Sequence, residues 1–171
     1  VEKTLEMATG MFAIALWDRK EQTLTLARDR FGEKPFFYGL VAGALVFGSE
    51  LKALQRAPGW QGEIGPSVLE NYLRFGCVGG QQSIFKDVFK LPPGCLLKVS
   101  LSDVCNGTLP PALKWWSPVE AAHIALEVRN NNPEMALNNV ERALVASVGQ
   151  QMAADVPLGA FLSGGVDSSL I

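Results

Sequence analysis

Pro157-Leu158-Gly159-Ala160-Phe161-Leu162-Ser163-Gly164-Gly165-Val166-Asp167-Ser168-Ser169 is the stretch on which the reading of this chain turns. Residues 157–162 are a short apolar run without alternation, which suits a strand buried on both faces of a parallel sheet. The run opens into a glycine and serine loop, and such a loop can hold an anion under three conditions. Backbone N–H groups must converge, side chains must stay clear, and a helix must begin there so that its positive end faces the charge. Gly164-Gly165 removes two Cβ atoms and permits positive φ. Ser163, Ser168 and Ser169 add hydroxyl donors, the last two in the first turn of the helix expected next. Hydrogen bonds to a charged group contribute about 1.5–3 kcal/mol each, so a handful would hold a pyrophosphate without any lysine. The lysine-bearing G-x-x-x-x-G-K-[ST] spacing is absent. Asp167 is the odd member, because a carboxylate repels phosphates unless a cation lies between them. It is therefore the candidate for holding Mg²⁺ against the pyrophosphate of ATP. A Gly/Ser turn with a helix cap is the plainer reading of the same loop; the strand and helix before it favour the nucleotide.

Working outward, Asn132 can cap and Pro133 can open a helix running to about Met152. Its apolar stripe, Leu137, Val140, Leu144, Val148 and Met152, predicts packing on one face. Arg129-Asn130-Asn131-Asn132-Pro133 reads as a linker, which divides the chain into 1–130 and 131–171. Helix, apolar strand and glycine loop make 131–171 the front of an α/β domain.

Residues 1–130 read as α+β, built on antiparallel strands. Residues 10–17 are apolar at both alternating sets, which predicts a strand buried on both faces. A polar turn over 18–21 leads to a strand at 23–27, and 28–35 is a charged loop. Strands at 36–39 and 44–47 are joined at Ala42-Gly43. Short helices are expected at 50–55 and at 66–75, the latter with Pro66 at its start and Gly76 at its end. Residues 83–91 run into the turn Pro92-Pro93-Gly94, and a strand follows at 95–101. Residues 102–111 are expected to be loop. Trp115-Trp116 closes the region, and His123 falls in a linker-like stretch.

The composition sets limits on function. The chain has 171 residues, 15 Lys+Arg against 17 Asp+Glu, and a hydrophobic share of 48%, which argues against disorder. The near-neutral balance gives no footprint for nucleic acid or an anionic membrane, and no apolar run approaches the ~20 residues of a spanning helix. Cys77, Cys95 and Cys105 are odd in number and lack C-x-x-C spacing, so no disulfide framework is expected. A cytoplasmic location follows as an expectation. Asn106-Gly107-Thr108 matches a glycosylation acceptor only by chance. Val1 at the start, and an ending inside an apolar-periodic segment, suggest an excerpt cut at both ends.

Further motifs stand in a fixed order. These are Gly10-Met11-Phe12-Ala13-Ile14-Ala15-Leu16-Trp17-Asp18, Ala27-Arg28-Asp29-Arg30-Phe31-Gly32-Glu33-Lys34-Pro35, and Gly48-Ser49-Glu50-Leu51-Lys52-Ala53-Leu54. Ser83-Ile84-Phe85, Lys90-Leu91-Pro92-Pro93-Gly94 and Asp155-Val156-Pro157 follow them. Together with Ser163–Ser169 they resemble glutamine-hydrolysing asparagine synthetase over essentially the whole chain. The departures are Cys77-Val78-Gly79, where relatives often have an aromatic, a valine and a proline, and Cys95, where a His is common.

The resemblance implies the C-terminal half of an αββα Ntn-hydrolase (class II) glutaminase domain over 1–130. Over 131–171 it implies the first helix, strand and loop of a PP-loop ATP pyrophosphatase domain. It implies glutamine, aspartate and ATP as substrates, Mg²⁺ as cofactor, a β-aspartyl-AMP intermediate and a homodimer at full length. Leu162 would lie near the nucleotide, with Ser163, Gly164, Gly165, Asp167 and Ser168 around the phosphates. The family's N-terminal cysteine and glutamine-binding segments would precede Val1, so no catalytic residue is assigned here and none of the three cysteines replaces it. Met11 is a candidate for lining an ammonia passage, with a core methionine as the plainer reading. The 28–34 cluster, with Glu50 and Lys52, is either an interdomain contact or a solvated loop with surface ion pairs. Amidation of another carboxylate, such as a cell-surface sugar or β-lactam precursor, is the first rival function. A non-catalytic module is the second, if the chain is complete.

Overall fold

The computed structural model describes residues 1–128 and 132–171. The domain boundary at 130/131, and most of the linker placed around it, lie outside the described residues. The chain forms two compact units, Val1–Ala122 and His123–Ile171. In order, the elements are α1 (Glu2–Met7), β1 (Ala13–Asp18), β2 (Thr23–Arg28), β3 (Phe37–Val41), β4 (Ala44–Gly48), α2 (Leu51–Leu54) and α3 (Pro66–Phe75). They continue with β5 (Val88–Lys90), β6 (Cys95–Ser100), α4 (Leu101–Cys105), β7 (Leu113–Lys114), α5 (Pro118–Glu127), α6 (Pro133–Gln151) and α7 (Val166–Leu170). No helix among the described residues is long and apolar enough to cross a membrane.

The first unit contains two antiparallel sheets, ordered β1-β2-β6-β7 and β4-β3-β5. Leu26 lies opposite Leu97 and Ala27 opposite Leu96 across the β2/β6 pair. Because side chains alternate, Leu26 and Leu97 join Tyr38, Phe36 and Leu91 in the main core, whereas Ala27 and Leu96 join Leu5 of α1 on the other face. Burial on both faces therefore belongs to β2 and β6. The expectation that residues 10–17 are so buried is corrected: β1 is an edge strand, and Ile14, Leu16 and Trp17 are exposed. Met11 is exposed too, not a core residue.

Local chemistry sets the turns. The Asp18 carboxylate accepts the N–H groups of Lys20 (2.9 Å) and Glu21 (3.0 Å) between β1 and β2. Ala42 and Gly43 both take positive φ, +48° and +79°, the two-residue hairpin that matches strand twist. Helix α3 runs from Pro66 to Phe75 as expected, with Gly76 left-handed at its end. The 102–111 loop reading is corrected over its first residues by α4. The Ser100 hydroxyl accepts the Asp103 N–H (3.1 Å), and the Asp103 carboxylate accepts the Ser100 N–H (2.8 Å), closing a capping box. His123 lies in α5, not in a linker.

In the second unit, the Asn132 side chain accepts the N–H groups of Glu134 (3.0 Å) and Met135 (3.2 Å), capping α6 as expected. Of the stripe Leu137, Val140, Leu144, Val148 and Met152, only Val148 is half-buried and the other four are exposed, which corrects the packed face predicted for it. Residues 157–162 form no strand. A parallel strand needs a neighbour for its N–H and C=O groups, and no described residue pairs with this run.

The charged loop after β2 is a built corner. Asp29 is 2% exposed. One carboxylate oxygen accepts the N–H groups of Phe31 (3.2 Å) and Glu33 (2.9 Å), the other those of Lys34 (3.0 Å) and Phe12 (3.4 Å). Arg28 donates to the carbonyls of Gly32, Lys34 and Leu91, and Arg30 to those of Glu6 and Ala8. The solvated-loop reading fails for these three residues, whose partners are all inside the first unit. Glu50 remains exposed, at the N-cap of α2. Burial pushes the Asp29 carboxyl up, but the N–H donors of Lys34, Glu33, Phe12 and Phe31 outweigh it and hold the group below the ordinary value.

Asp29→Asn sets an amide NH₂ against two N–H donors in either orientation, so it is expected to cost about 3 kcal/mol in urea unfolding. Because the carboxyl is depressed in the fold, its stabilisation is complete above the ordinary Asp value of about 3.9 and lost as pH falls through the lower folded value. The acid side of the stability profile should therefore flatten in Asp29→Asn; an unchanged profile would refute the assignment.

Candidate functional site

The site legible in the sequence is the loop between residue 162 and α7. Gly164 takes φ +78°, and a Cβ there would meet nothing within 4 Å, so its glycine serves conformation, not clearance. Gly165 is the N-cap of α7, with extended backbone at φ −77° and ψ 161°. The turn brings the Ser163 and Ser168 hydroxyl oxygens to 3.0 Å from each other. The Gly165 carbonyl accepts the hydroxyls of Ser168 (3.1 Å) and Ser169 (2.8 Å). Ser163, Gly165 and Ser168 thus form one cluster, with Ser168 and Ser169 in the first turn of the helix as read from the sequence.

Leu162 and Asp167 stand outside that cluster. The Leu162 side chain is exposed. The Asp167 carboxylate is exposed and makes no hydrogen bond or ion pair among the described residues. No group of three His, Cys, Asp or Glu side chains converges as a metal cage among those residues. The donor chemistry nonetheless suits Mg²⁺ on a phosphate chain, which is commonly held by one or two carboxylates with the remaining ligands from phosphate and water.

The cysteines occupy different settings. Cys77 and Cys105 are exposed and Cys95 is buried. Burial pushes the Cys95 thiol up, with Lys114 acting in the opposite sense, and a raised thiol is the reverse of an activated nucleophile. Sequence reading missed the cavity that Cys95 lines with Tyr38 and Lys114. The one available signal was the unusual cysteine after Pro-Pro-Gly.

Comparison with known proteins defines the class. Residues 2–109 match the glutamine amidotransferase domain, and residues 139–171 match asparagine synthase. The antiparallel sheets of the first unit are consistent with such an amidotransferase domain. A putative glutamine-hydrolysing asparagine synthetase of Mycobacterium tuberculosis is 33% identical over 172 residues, covering 99% of this chain and 25% of its own length. Glutamine-hydrolysing asparagine synthetase 3 of Bacillus subtilis is 32% identical over 171 residues, 99% of this chain and 26% of its own. Amidase chyE of Penicillium rubens is 31% identical over 162 residues, 95% of this chain and 22% of its own. The chain belongs to the asparagine synthetase family and carries a glutamine amidotransferase domain, spanning about a quarter of the length of these relatives.

The two glycines should respond differently to substitution. Gly164→Ala places a side chain in the left-handed region and is expected to cost about 1 kcal/mol of loop order. Gly165→Ala should leave the backbone in place, since its Cβ would meet Ser163 Oγ at 3.6 Å and Ser168 Oγ at 3.8 Å. Backbone chemical shifts over 162–170 would distinguish them; equal perturbation by both substitutions contradicts the assignment.

Proposed function

We propose that the protein to which this chain belongs is an ATP-dependent, glutamine-hydrolysing amide synthetase that converts aspartate to asparagine. The observation that carries the reading is the succession of an amidotransferase match and an asparagine synthase match along one chain. Glutamine hydrolysis in the first domain supplies ammonia. The second domain activates the aspartate side-chain carboxylate as β-aspartyl-AMP with release of pyrophosphate, and ammonia displaces AMP.

In this reading the loop after Leu162 binds the phosphates of ATP. Ser163 and Ser168 donate hydroxyl hydrogen bonds, Gly164 gives the loop its left-handed turn, and the Gly165 N-cap leaves the first N–H groups of α7 toward the anion. Mg²⁺, when bound, would neutralise charge on the pyrophosphate. Asp167 is the side chain that would hold it, and Leu162 would pack near the nucleotide. Homodimerisation and a cytoplasmic location belong to the same proposal.

A second reading keeps the same framework with a different acceptor, since the Penicillium rubens relative carries a name other than asparagine synthetase. There the framework would amidate a different carboxylate. The protein expressed from its complete reading frame decides between them. With glutamine, ATP and Mg²⁺, aspartate should yield asparagine, AMP and pyrophosphate in equal amounts; turnover with other carboxylates but not with aspartate selects the second reading. Asp167→Ala in that protein should weaken the Mg²⁺ dependence of ATP binding at least about tenfold, the scale of one lost charge-assisted contact. An unchanged Mg²⁺ dependence removes Asp167 from the site. Residues 1–171 alone are expected neither to hydrolyse glutamine nor to exchange pyrophosphate into ATP, and detectable glutaminase turnover would show that one of Cys77, Cys95 and Cys105 or another residue here can act as nucleophile.

A further inference from the structure

The first unit holds a solvent-open pocket of about 550 Å³, a volume within the range of small-molecule pockets. Tyr38 of β3 and Cys95 of β6 line it and are 6% and 7% exposed. Phe89, Pro93 and Pro110 add apolar surface, and Lys114 of β7 contributes a cation. The Tyr38 ring rests on Phe89, with centroids 5.9 Å apart. Its hydroxyl makes no hydrogen bond among the described residues and, unlike the buried Trp115 indole nitrogen, keeps solvent contact where the ring borders the pocket. Burial pushes both the Tyr38 hydroxyl and the Cys95 thiol up, so this part of the lining stays uncharged at neutral pH and does not repel an anion. Lys114 lies 3.6 Å from Glu120 in an exposed ion pair, the kind that exchanges partners at little cost.

We propose that this cavity binds a small aromatic carboxylate, with its carboxylate on Lys114 and an oxygen acceptor at the far end of its ring on the Tyr38 hydroxyl. Phe89 and the prolines receive the ring faces, and the otherwise unpartnered Tyr38 hydroxyl finds its acceptor in the ligand. The proposal does not rest on the ligase reading, and every residue lining the pocket belongs to the first unit.

The test is an NMR titration of the 171-residue chain with 4-hydroxyphenylacetate, alongside phenylacetate and 4-hydroxyphenylacetamide. The expected result is saturable shift changes at Tyr38, Phe89 and Lys114 below ~10 mM, as for a Kd of about 1 mM. Phenylacetate, lacking the acceptor, and the uncharged amide should each bind at least about fivefold more weakly. Tyr38→Phe keeps the ring on Phe89 and should bring 4-hydroxyphenylacetate down to the affinity of phenylacetate. Lys114→Gln should weaken both acids and leave the amide unchanged. Far-UV circular dichroism and a thermal melt confirm that each variant folds. Absence of saturable shifts at these residues in the parent chain overturns the proposal, as does equal binding of acid and amide or unchanged affinity in both folded variants.

Discussion

Burying a carboxylate costs several kcal/mol even after the protein relaxes around it, so a fold that buries one must arrange its surroundings to match. At Asp29 four backbone N–H groups converge on two oxygens, each a charge-assisted bond contributing about 1.5–3 kcal/mol. The residue's main chain is used as fully. Its N–H donates to the Phe12 carbonyl, and its carbonyl accepts from Gly32 and Gly94. The entry to β1, the end of β2, the 31–34 loop and the Pro92–Gly94 turn therefore meet at one residue. Arg28 and Arg30 complete the corner by taking carbonyls that its turns leave free. Asp29 is held below its ordinary value by backbone N–H donors, and the adjoining Arg28 guanidinium interacts favourably with the same charge.

The corner propagates through Gly94. That residue sits at φ +60°, and a Cβ would come within 2.4 Å of the Trp116 carbonyl oxygen. Its own carbonyl accepts the N–H groups of both Trp115 and Trp116 at 2.9 and 3.1 Å. Trp115 in turn stacks on Phe12 at 6.2 Å between centroids and lies beneath the Arg30 guanidinium. Glycine is needed at 94 because β6 begins where the tryptophan backbone crosses it. The Pro-Pro-Gly punctuation that reads as a plain turn is the second half of the Asp29 corner.

This explains which parts of the molecule were legible from sequence. The ends of α3 and α6 were, because Pro66, Gly76, Asn132 and Pro133 act on backbone groups within a few residues of themselves. The β3–β4 hairpin and the Ser163–Ser169 cluster were legible for the same reason, each being complete within one short segment. The Asp29 corner was not: its partners are N–H groups, which every residue type but proline supplies and no motif announces. Nor was the ranking of β1, β2 and β6. β1 is apolar at both alternating positions while β2 carries Thr23 and Thr25 and β6 carries Lys98, so the pattern ranks β1 innermost, and only pairing order shows that it is the edge. Helix α4 was missed because Asp103 fills a capping position where Glu or Gln is the usual signal. The 157–162 run shows the limit most plainly, since its apolar composition suits a buried strand but strand pairing is never a property of one segment.

The same limit governs how the apolar share of the chain should be understood. In the first unit, β1 presents Ile14, Leu16 and Trp17 along an outer edge, and α3 buries Val68 while Leu73 and Phe75 remain in solvent. In the second unit most of the α6 stripe and Phe161 are exposed. Edge strands with apolar side chains and free backbone groups recruit further strands, and exposed apolar helix faces recruit further helices. A composition of 48% hydrophobic residues looks like that of a chain with a complete core, yet much of it lies on surfaces of this kind. Near-neutral net charge adds little electrostatic repulsion against association through them. Composition therefore measures how much apolar surface the chain must place, whereas the fold shows which of it the described residues leave exposed.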